Sequence, residues 1–209
     1  VTALISVPIG VLTAIYLVEY GRGKLAKAVS FMVDILTGVP SVVAALFVYA
    51  LWVTTFGFNR LPIAVCFALT LLMVPTIVRS TEEMLKLVPN ELREASYALG
   101  VPKWKTILKI VLPTAFSGIV TGVLLGLARV MGETAPLLIL VSYAQGINFS
   151  PTSDTMAALP TMINAGRDQA PALPGYERVW AAALTLILLV MGLNLLARGI
   201  ARASRLKER

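Results

Sequence analysis

The sequence predicts an all-α, polytopic bundle of membrane-spanning helices, and three observations support this prediction. Of the 209 residues, 57% are hydrophobic and only 14% are charged, with a mean hydropathy of +0.83. A soluble domain usually has about a quarter of its residues charged. The apolar residues are concentrated in five stretches: Val1 to Val18, Phe31 to Phe56, Leu61 to Val78, Thr114 to about Val141, and Val179 to Ala197. Each stretch is close to or longer than about 18 residues, the length that a spanning helix needs. Apolar stretches of this length argue against a water-soluble globule.

The first stretch begins without a basic segment and leads directly into Glu19 and Arg22. A signal peptide has the opposite order, with the basic segment first and small residues at its end. We therefore expect residue 1 to lie inside a helix or at its start. Pro8, Pro40 and Pro75 lie within three of the stretches. Spanning helices accept such kinks where neighbouring groups satisfy the backbone.

The basic residues predict the orientation of the five spans. Segments 19–27, 79–113 and 198–209, which would share one side of the membrane, hold three, six and five Lys or Arg residues, or 14 of the 18 in the chain. Cytoplasmic loops are rich in Lys and Arg, so we expect these segments, and with them the C-terminus, in the cytoplasm. The proline-rich segment 145–177 is expected on the opposite side.

Segment 80–113 is too polar to span a membrane and too long for a simple connection. Ser80 and Glu83 have the spacing of a capping box, which predicts the start of a short helix there. Asn90 is a candidate cap for a second helix, which Gly100 would end in a left-handed turn. The two helices would form a compact projection from the membrane, and a solvated surface loop is the alternative.

Several chemistries are excluded by composition. A single cysteine, Cys66, and the absence of histidine exclude a disulfide framework, an ordinary zinc site and a Ser-His-Asp or Cys-His active site. The sequence has no Gly-x-x-x-x-Gly-Lys-[Ser/Thr] pattern, so no ATP is expected to bind by that route. We predict no catalytic residue, no metal site and no enzyme activity. The net charge of +7 is expected to face anionic lipid rather than nucleic acid.

Two charged residues, Arg129 and Glu133, lie inside the fourth stretch. A charge at the bilayer centre costs at least ~2.5–3.5 kcal/mol, so both should face protein or a water-filled path. In a continuous helix their spacing places them on one face. They form either an ion pair that joins helices or a substrate path, where the guanidinium suits phosphate-type oxygens and the glutamate moderates its charge. Arg79 contacts either lipid headgroups or the exit of such a path.

Part of the 80–113 segment resembles the EAA loop of ABC-importer permeases. The residues that match its pattern, with serine in place of the second alanine, are Glu94, Ala95, Ser96, Gly100, Ile110, Leu112 and Pro113. The resemblance implies a coupling helix that docks in a groove of a separate ATPase subunit. In that arrangement Ala95 and Ser96 allow close approach, Gly100 makes the turn, and Glu94 offers a charged or capping contact.

Residues 126–138, GLARVMGETAPLL, resemble the permease subunits of phosphate ABC importers, in their A-type rather than their C-type form. Three further segments agree with that family: YLVEY at 16–20, GVPSVV at 38–43 and VPTIVRSTEEM at 74–84. The resemblance covers essentially the whole chain and implies the type I ABC-importer permease fold. That fold has six spans, of which five are expected here, the first being absent. Residues 1–209 would then form one N-terminally incomplete ABC transmembrane type-1 domain, with 80–113 as its cytoplasmic EAA coupling loop.

The resemblance also implies a function and its partners. The chain would be a permease subunit of an ATP-driven phosphate importer, with Arg129, Glu133 and Arg79 on the substrate path, in a prokaryotic cell membrane. The implied partners are a C-type permease subunit, a dimer of ATPase subunits that hold ATP and Mg, an extracytoplasmic phosphate-binding protein, phosphate and membrane lipid. A permease for another oxyanion and the C-type subunit are the near alternatives. An enzyme of phosphorylated lipid would need a nucleophile or metal cluster, and a passive channel would not need an EAA loop.

Overall fold

The computed structural model describes residues 1–144, 146, 150, 152, 155–168 and 174–207, and this part of the chain is mainly helical. The helices are α1 (Thr2–Ile15), α2 (Gly23–Gly38), α3 (Ser41–Tyr49), α4 (Pro62–Lys86), α5 (Asn90–Ala98), α6 (Lys103–Thr106), α7 (Leu112–Met131), α8 (Ala135–Leu140), α9 (Leu159–Gly166) and α10 (Pro174–Lys207). Three π-helical segments continue α1, α3 and α6, at Tyr16–Tyr20, Ala50–Thr55 and Ile107–Val111. Two short parallel strands, β1 (Ser142–Tyr143) and β2 (Thr155–Met156), pair with each other.

Four helices of the described chain are long and apolar enough to cross a membrane: Thr2–Tyr20, Pro62–Lys86, Lys103–Met131 and Gly175–Arg202. A fifth crossing is formed if Gly23–Gly38 and Ser41–Thr55, which meet at 107°, are counted as one broken span. The stretch from Phe31 to Phe56, expected to form one spanning helix with a kink at Pro40, therefore consists of two helices at a sharp angle. The chain bends at Val39, which is extended before Pro40, because proline lacks an N–H donor and disfavours helical backbone at the preceding residue.

The centre of the bundle is formed by α1 and α4, which run side by side in the same direction. Gly10 permits their close approach, since a Cβ atom there would lie 2.7 Å from Ile77 Cγ2 and 2.8 Å from Ile77 Cβ. Further along both helices a buried apolar cluster joins α1, α2, α4 and α7. Its members are Ala14, Val33, Val78, Leu85, Val88, Val111, Ala115 and Ile119.

Glycines also set the register between α4 and α7, which are antiparallel. A Cβ atom on Gly118, Gly122 or Gly126 would meet Met84, Ser80 or Ile77, respectively. Each step of about one helical turn along α7 thus moves about one turn back along α4. A side chain at Gly122 would clash with Ser80, whereas one at Gly126 would make only ordinary van der Waals contacts. Small residues are expected at such membrane helix interfaces.

The fourth apolar stretch is not one helix. After Met131 the chain leaves the helix over residues 132–134 and resumes as the short α8. Leu137 and Leu140 of α8 are buried in a second apolar cluster with Ala64 and Val65 at the start of α4. The α7–α8 pair therefore reaches the end of the bundle where α4 begins, and residues 132–134 interrupt the helix on the way.

The last helix, α10, returns along α7, and the Thr121 hydroxyl donates to the carbonyl of Ala197 at 3.3 Å. Ala201 lines one groove with Leu87 and Leu92, so the far part of α10 lies at the end of the bundle that carries α5. We call this the coupling end. The 145–177 segment, predicted to face the other side, is described only in part, mainly as β2, α9 and the start of α10.

Candidate coupling and translocation sites

The helix of the coupling end, α5, begins at Asn90 directly after Pro89 and is followed by Gly100 with φ of +73°. The predicted left-handed turn at Gly100 is thus confirmed. The predicted capping box at Ser80 is wrong, because α4 continues through Ser80 to Lys86. Asn90 is the first residue of α5 and its side chain makes no capping hydrogen bond there. The helical projection is therefore one helix, α5, between the ends of two long helices.

A buried ion pair connects α5 to the membrane bundle. The Arg93 guanidinium donates from Nε and Nη2 to Glu19 Oε1 at 3.1 and 3.0 Å. The side chains are 12% and 5% exposed. Arg93 also donates to the carbonyl groups of Leu85 at 2.9 Å and Val88 at 2.6 Å. One side chain of α5 thus binds the end of α1 and the last residues of α4.

The other side of the Gly100 turn is held to the same region. Lys103 donates from Nζ to the carbonyl oxygen of Glu19, and its ammonium group lies 4.7 Å from the centroid of the Tyr20 ring. Between α5 and α6, the hydroxyl groups of Ser96 and Thr106 are buried and 2.8 Å apart. The turn is consequently fixed to α1 and to the helix that continues into α7.

The opposite face of this projection is exposed. Glu94, Ala95 and Gly100 are exposed, and so are large apolar side chains of the same segment. Leu99 is 82% exposed and Leu87 is 73% exposed. Of the residues of the EAA pattern, Ser96 is turned the other way, into the chain, where it contacts Thr106 rather than an outside surface.

The last two residues of the EAA pattern lie away from this exposed face. Leu112 and Pro113 form the first turn of α7, on the helix that runs without interruption from Lys103 to Met131. Leu112 packs against the apolar cluster of the coupling end, and Pro113 is exposed. Pro113 lies inside this continuous helix, just after the π-helical segment Ile107–Val111, and its missing N–H removes one hydrogen bond there. A coupling role for both residues stays a prediction.

Arg79 is held in a network of charges between α2 and α4. It donates to Asp34 of α2, to Glu82 at 2.6 Å, and to the carbonyl and hydroxyl oxygens of Ser30 at 3.2 Å. Lys86 also binds Glu82, at 2.7 Å. The guanidinium of Arg79 thus has protein partners in this conformation. The place of Arg79 on a substrate path stays a prediction.

Arg129 and Glu133 are not on one helix. Arg129 is in the last turn of α7 and exposed, whereas Glu133 lies after the helix end and is half-buried. The backbone N–H of Glu133 donates to the carbonyl of Val130 at 3.1 Å. Over the described residues, the two side chains form no ion pair with each other or with another group. The interpretation of the pair as an ionic joint between helices is therefore not supported by the geometry.

The glycine register between α4 and α7 gives the level of these charges along the bundle. Because Gly122 faces Ser80 and Gly126 faces Ile77, Arg129 lies about one turn further along, level with residues near 73 of α4. This is close to the middle of α4, which spans Pro62–Lys86. The break of the fourth stretch and its two charges thus occur together at mid-depth.

Glu19, Arg93 and Asp34 were not singled out from the sequence as functional residues. A signal existed for the first two, because Glu19 is the acid that ends the first apolar stretch and Arg93 directly precedes the EAA pattern. Asp34 lies inside α2 and pairs with Arg79. These pairs are distant in sequence, so spacing alone could not connect them.

Two solved structures share this architecture. The inward-facing MetNI methionine ABC transporter aligns with a TM-score of 0.73 and 22% identity, over 97% of this chain and 87% of that chain. An amino acid ABC transporter with histidines aligns with a TM-score of 0.63 and 16% identity, over 94% and 88%. At these identities the likeness shows the fold alone. The fold class is the type I ABC-importer permease, as the sequence predicted.

The profile of the family described as "Binding-protein-dependent transport system inner membrane component" matches residues 6–206. Among curated proteins, this chain is 57% identical to the phosphate transport system permease protein PstA of Mycobacterium leprae, over 93% of this chain and 64% of that protein. It is 42% identical to PstA of Pasteurella multocida, over 95% and 70%. The chain therefore belongs to this family of transport components, within its group of PstA permeases. It spans about 64% of the length of the mycobacterial relatives.

Proposed function

We propose that this chain forms part of the A-type membrane subunit of an ATP-driven phosphate importer. The observation that carries the proposal is the exposed α5 projection, which bears the EAA pattern and stands on a buried ion pair, in a chain whose relatives are named phosphate transport permeases. The subunit itself hydrolyses nothing. ATP and Mg belong to a separate ATPase dimer, which docks on the projection.

The docking surface is the exposed face of the coupling end. Exposed apolar side chains such as Leu99 and Leu87 are unfavourable in water and stabilise an interface when a partner covers them. Glu94 provides a charged contact at its edge. This combination of an apolar centre and a polar rim is typical of protein interfaces.

The translocation path is proposed to pass the break between α7 and α8. Irregular backbone at membrane depth occurs where it is buried in protein or lines a water-filled cavity, and broken helices in transporters commonly hold substrate sites. Arg129 is exposed on this subunit, so its charge faces the path that the C-type permease subunit completes. Glu133 lies at the same break. At Arg79, a phosphate anion would replace Asp34 as a partner of the guanidinium.

The orientation proposed is that of a multi-pass protein of a prokaryotic cell membrane with the coupling end in the cytoplasm. The structure brings the far part of α10 to the coupling end, and both segments are rich in Lys and Arg, as cytoplasmic segments are. Phosphate then arrives from an extracytoplasmic binding protein on the opposite side. Anionic lipid headgroups contact the basic segments.

Reconstitution of the complete importer tests the proposal. The whole subunit is co-expressed with its C-type partner and ATPase, and uptake of radiolabelled phosphate into proteoliposomes is measured with the binding protein and ATP. Sulfate serves as the competing oxyanion. We expect phosphate uptake that unlabelled phosphate, but not sulfate, abolishes, and an ATPase that co-purifies with the membrane subunits. Sulfate uptake without phosphate uptake, or failure to retain an ATPase, contradicts it.

A further inference from the structure

We propose that Arg93 and Glu19 are positioning residues that transmit the movement of α5 to α1 and α4, so that the ion pair between them couples ATP hydrolysis to transport. This inference rests on the proposed function, because it takes α5 as the surface on which the ATPase acts. It assigns the transmission of that action to one side-chain contact.

The contact has a defined geometry at the junction of three helices. Both guanidinium donors that reach Glu19 bind the same oxygen, Oε1, at 3.1 and 3.0 Å. The remaining donors of Arg93 reach the carbonyl of Val88, the carbonyl of Leu85 and the side chain of Asn90. Arg is suited to this because its planar fork holds several oxygens at fixed directions. Displacement of α5 therefore displaces the ends of α1 and α4 together.

The carbonyl groups that Arg93 binds are those of a helix end. The last carbonyls of a helix have no partner within it and are otherwise satisfied by water or a cap. Leu85 lies in the last turn of α4, and Val88 is the second residue after its end at Lys86. Arg93 thus acts as a cap supplied by the next helix: it donates to the Val88 carbonyl, and it adds a donor to the Leu85 carbonyl, which also accepts from the Val88 N–H at 3.4 Å.

The end of α1 is held from both sides of the Gly100 turn. Arg93 on α5 binds the Glu19 carboxylate, and Lys103 on α6 binds the Glu19 carbonyl oxygen and lies over the Tyr20 ring. By contrast, the neighbour of Arg93 in sequence, Glu94, is exposed on the docking face. Consecutive residues of α5 therefore face the bundle and the ATPase, which is the arrangement that a transmitting element requires.

Stability alone does not account for the pair. A buried ion pair commonly adds no net stability over apolar side chains of similar volume, because both charges lose their water. The coupling end already has an apolar cluster in which Leu85 and Val88 are buried. The hydrogen bonds of the charged pair are directional, so they fix the orientation of α5 relative to α1, which apolar contacts do not.

The test measures phosphate moved per ATP hydrolysed by the reconstituted complex, together with the yield of assembled complex. Glu19→Gln keeps the shape and removes the charge, whereas Arg93→Lys keeps the charge but cannot reach Glu19 and both carbonyls at once. We expect both variants to assemble and to hydrolyse ATP, while phosphate moved per ATP falls at least about fivefold, the lower end of typical coupling between sites. Glu83→Gln is the matched control, since Glu83 is exposed in α4 and, within the described chain, makes no ion pair.

Each alternative outcome has a distinct meaning. A lower yield with an unchanged ratio of phosphate to ATP overturns the inference, because the pair then only stabilises the fold. So does a parallel fall in both rates, or failure of both variants to assemble. A wild-type complex that takes up no phosphate defeats the proposed function instead, whereas a wild-type complex that transports, with variants of unchanged ratio, defeats only the inference about Arg93 and Glu19.

Discussion

The hydroxyl oxygens of Ser96 and Thr106 lie 2.8 Å apart in a buried contact that joins α5 to α6 across the Gly100 turn. Serine stands at this position where the EAA pattern has a second alanine, so the contact is a feature of this sequence. Since Thr106 also lies 3.5 Å from the carbonyl of Pro102, its hydroxyl keeps an acceptor when Ser96 is replaced.

We expect the Ser96→Ala and Thr106→Val changes to be non-additive. Each single change removes one hydroxyl and costs about 1 kcal/mol in the free energy of unfolding, more where the remaining group is left unsatisfied. The double change should cost less than the sum, by about 0.5–1.5 kcal/mol. Thermal unfolding of the four proteins in detergent measures this difference. Additive losses would mean that the two hydroxyl groups do not interact.

Gly100 provides a test of the turn that presents the docking face. Its φ is +73° and a Cβ atom there would meet nothing within 4 Å. Gly100→Val is therefore expected to act through backbone strain, about 1–2 kcal/mol for a left-handed residue, and not through a clash. We expect it to uncouple ATP hydrolysis from uptake or to release the ATPase while the spans still insert. Gly100→Asn, which tolerates this backbone conformation, is the control and should retain the ATPase. Equal retention and equal transport in both variants would contradict a coupling role for the turn.

Much of the fold follows from the sequence because membrane helices show their length and apolar composition directly. The spans of α1, α4 and α10, the fold class and the Gly100 turn were predicted correctly. The expectation that spanning helices accept interior proline holds at two of the three positions. Pro40 interrupts its stretch, whereas Pro8 and Pro75 lie inside continuous helices. Proline alone does not decide between a kink and a break, since neighbouring helices determine whether the backbone is repaired.

The candidate sites were predicted less completely than the fold. Composition identifies Arg129 as a costly charge, and the EAA spacing identifies α5. Neither shows that Glu133 lies outside the helix or that Arg93 reaches Glu19, since these facts depend on where the helices end and on contacts between distant segments. Ser80 illustrates the same limit: its local pattern favours a helix start, but packing of Ser80 against Gly122 extends α4 through it.

Arg79 should contribute to stability through its network. Arg79→Gln leaves Glu82, whose side chain is 11% exposed, with Lys86 as its remaining basic partner. We expect a loss of about 1–2 kcal/mol, below the cost of breaking a fully buried pair. Asp34→Asn should cost less than about 1 kcal/mol, because Asp34 is largely exposed. Thermal unfolding in detergent measures both, and an unchanged midpoint for Arg79→Gln would show that the network adds no stability.

The glycine register between α4 and α7 predicts a steric effect. A Cβ atom on Gly122 would lie 1.8 Å from Ser80 Oγ and 2.8 Å from Ser80 Cβ. Gly122→Ala should therefore destabilise the bundle by about 1–3 kcal/mol, the usual cost of overpacking. In the control, Gly192→Ala in α10, the new atom would meet nothing within 4 Å, and the higher helix propensity of alanine makes it neutral or slightly stabilising. Equal melting midpoints for the two variants would refute the close approach at Gly122.

Arg129 and Glu133 allow the substrate path to be distinguished from a structural pair. The two residues flank the end of α7 and, within the described chain, make no ion pair, so removing one charge leaves no stranded partner. We therefore expect Arg129→Gln nearly to abolish phosphate uptake while the complex assembles and retains its ATPase. Glu133→Gln should have a milder or opposite effect, because it leaves the arginine less neutralised and phosphate more tightly held. The double variant should resemble Arg129→Gln.

If the residues instead formed an ionic joint, each single change would lower the yield of complex and the double change would recover much of it. Radiolabelled phosphate uptake and complex yield for the three variants separate the two cases, and rescue of transport in the double variant would rule out the path.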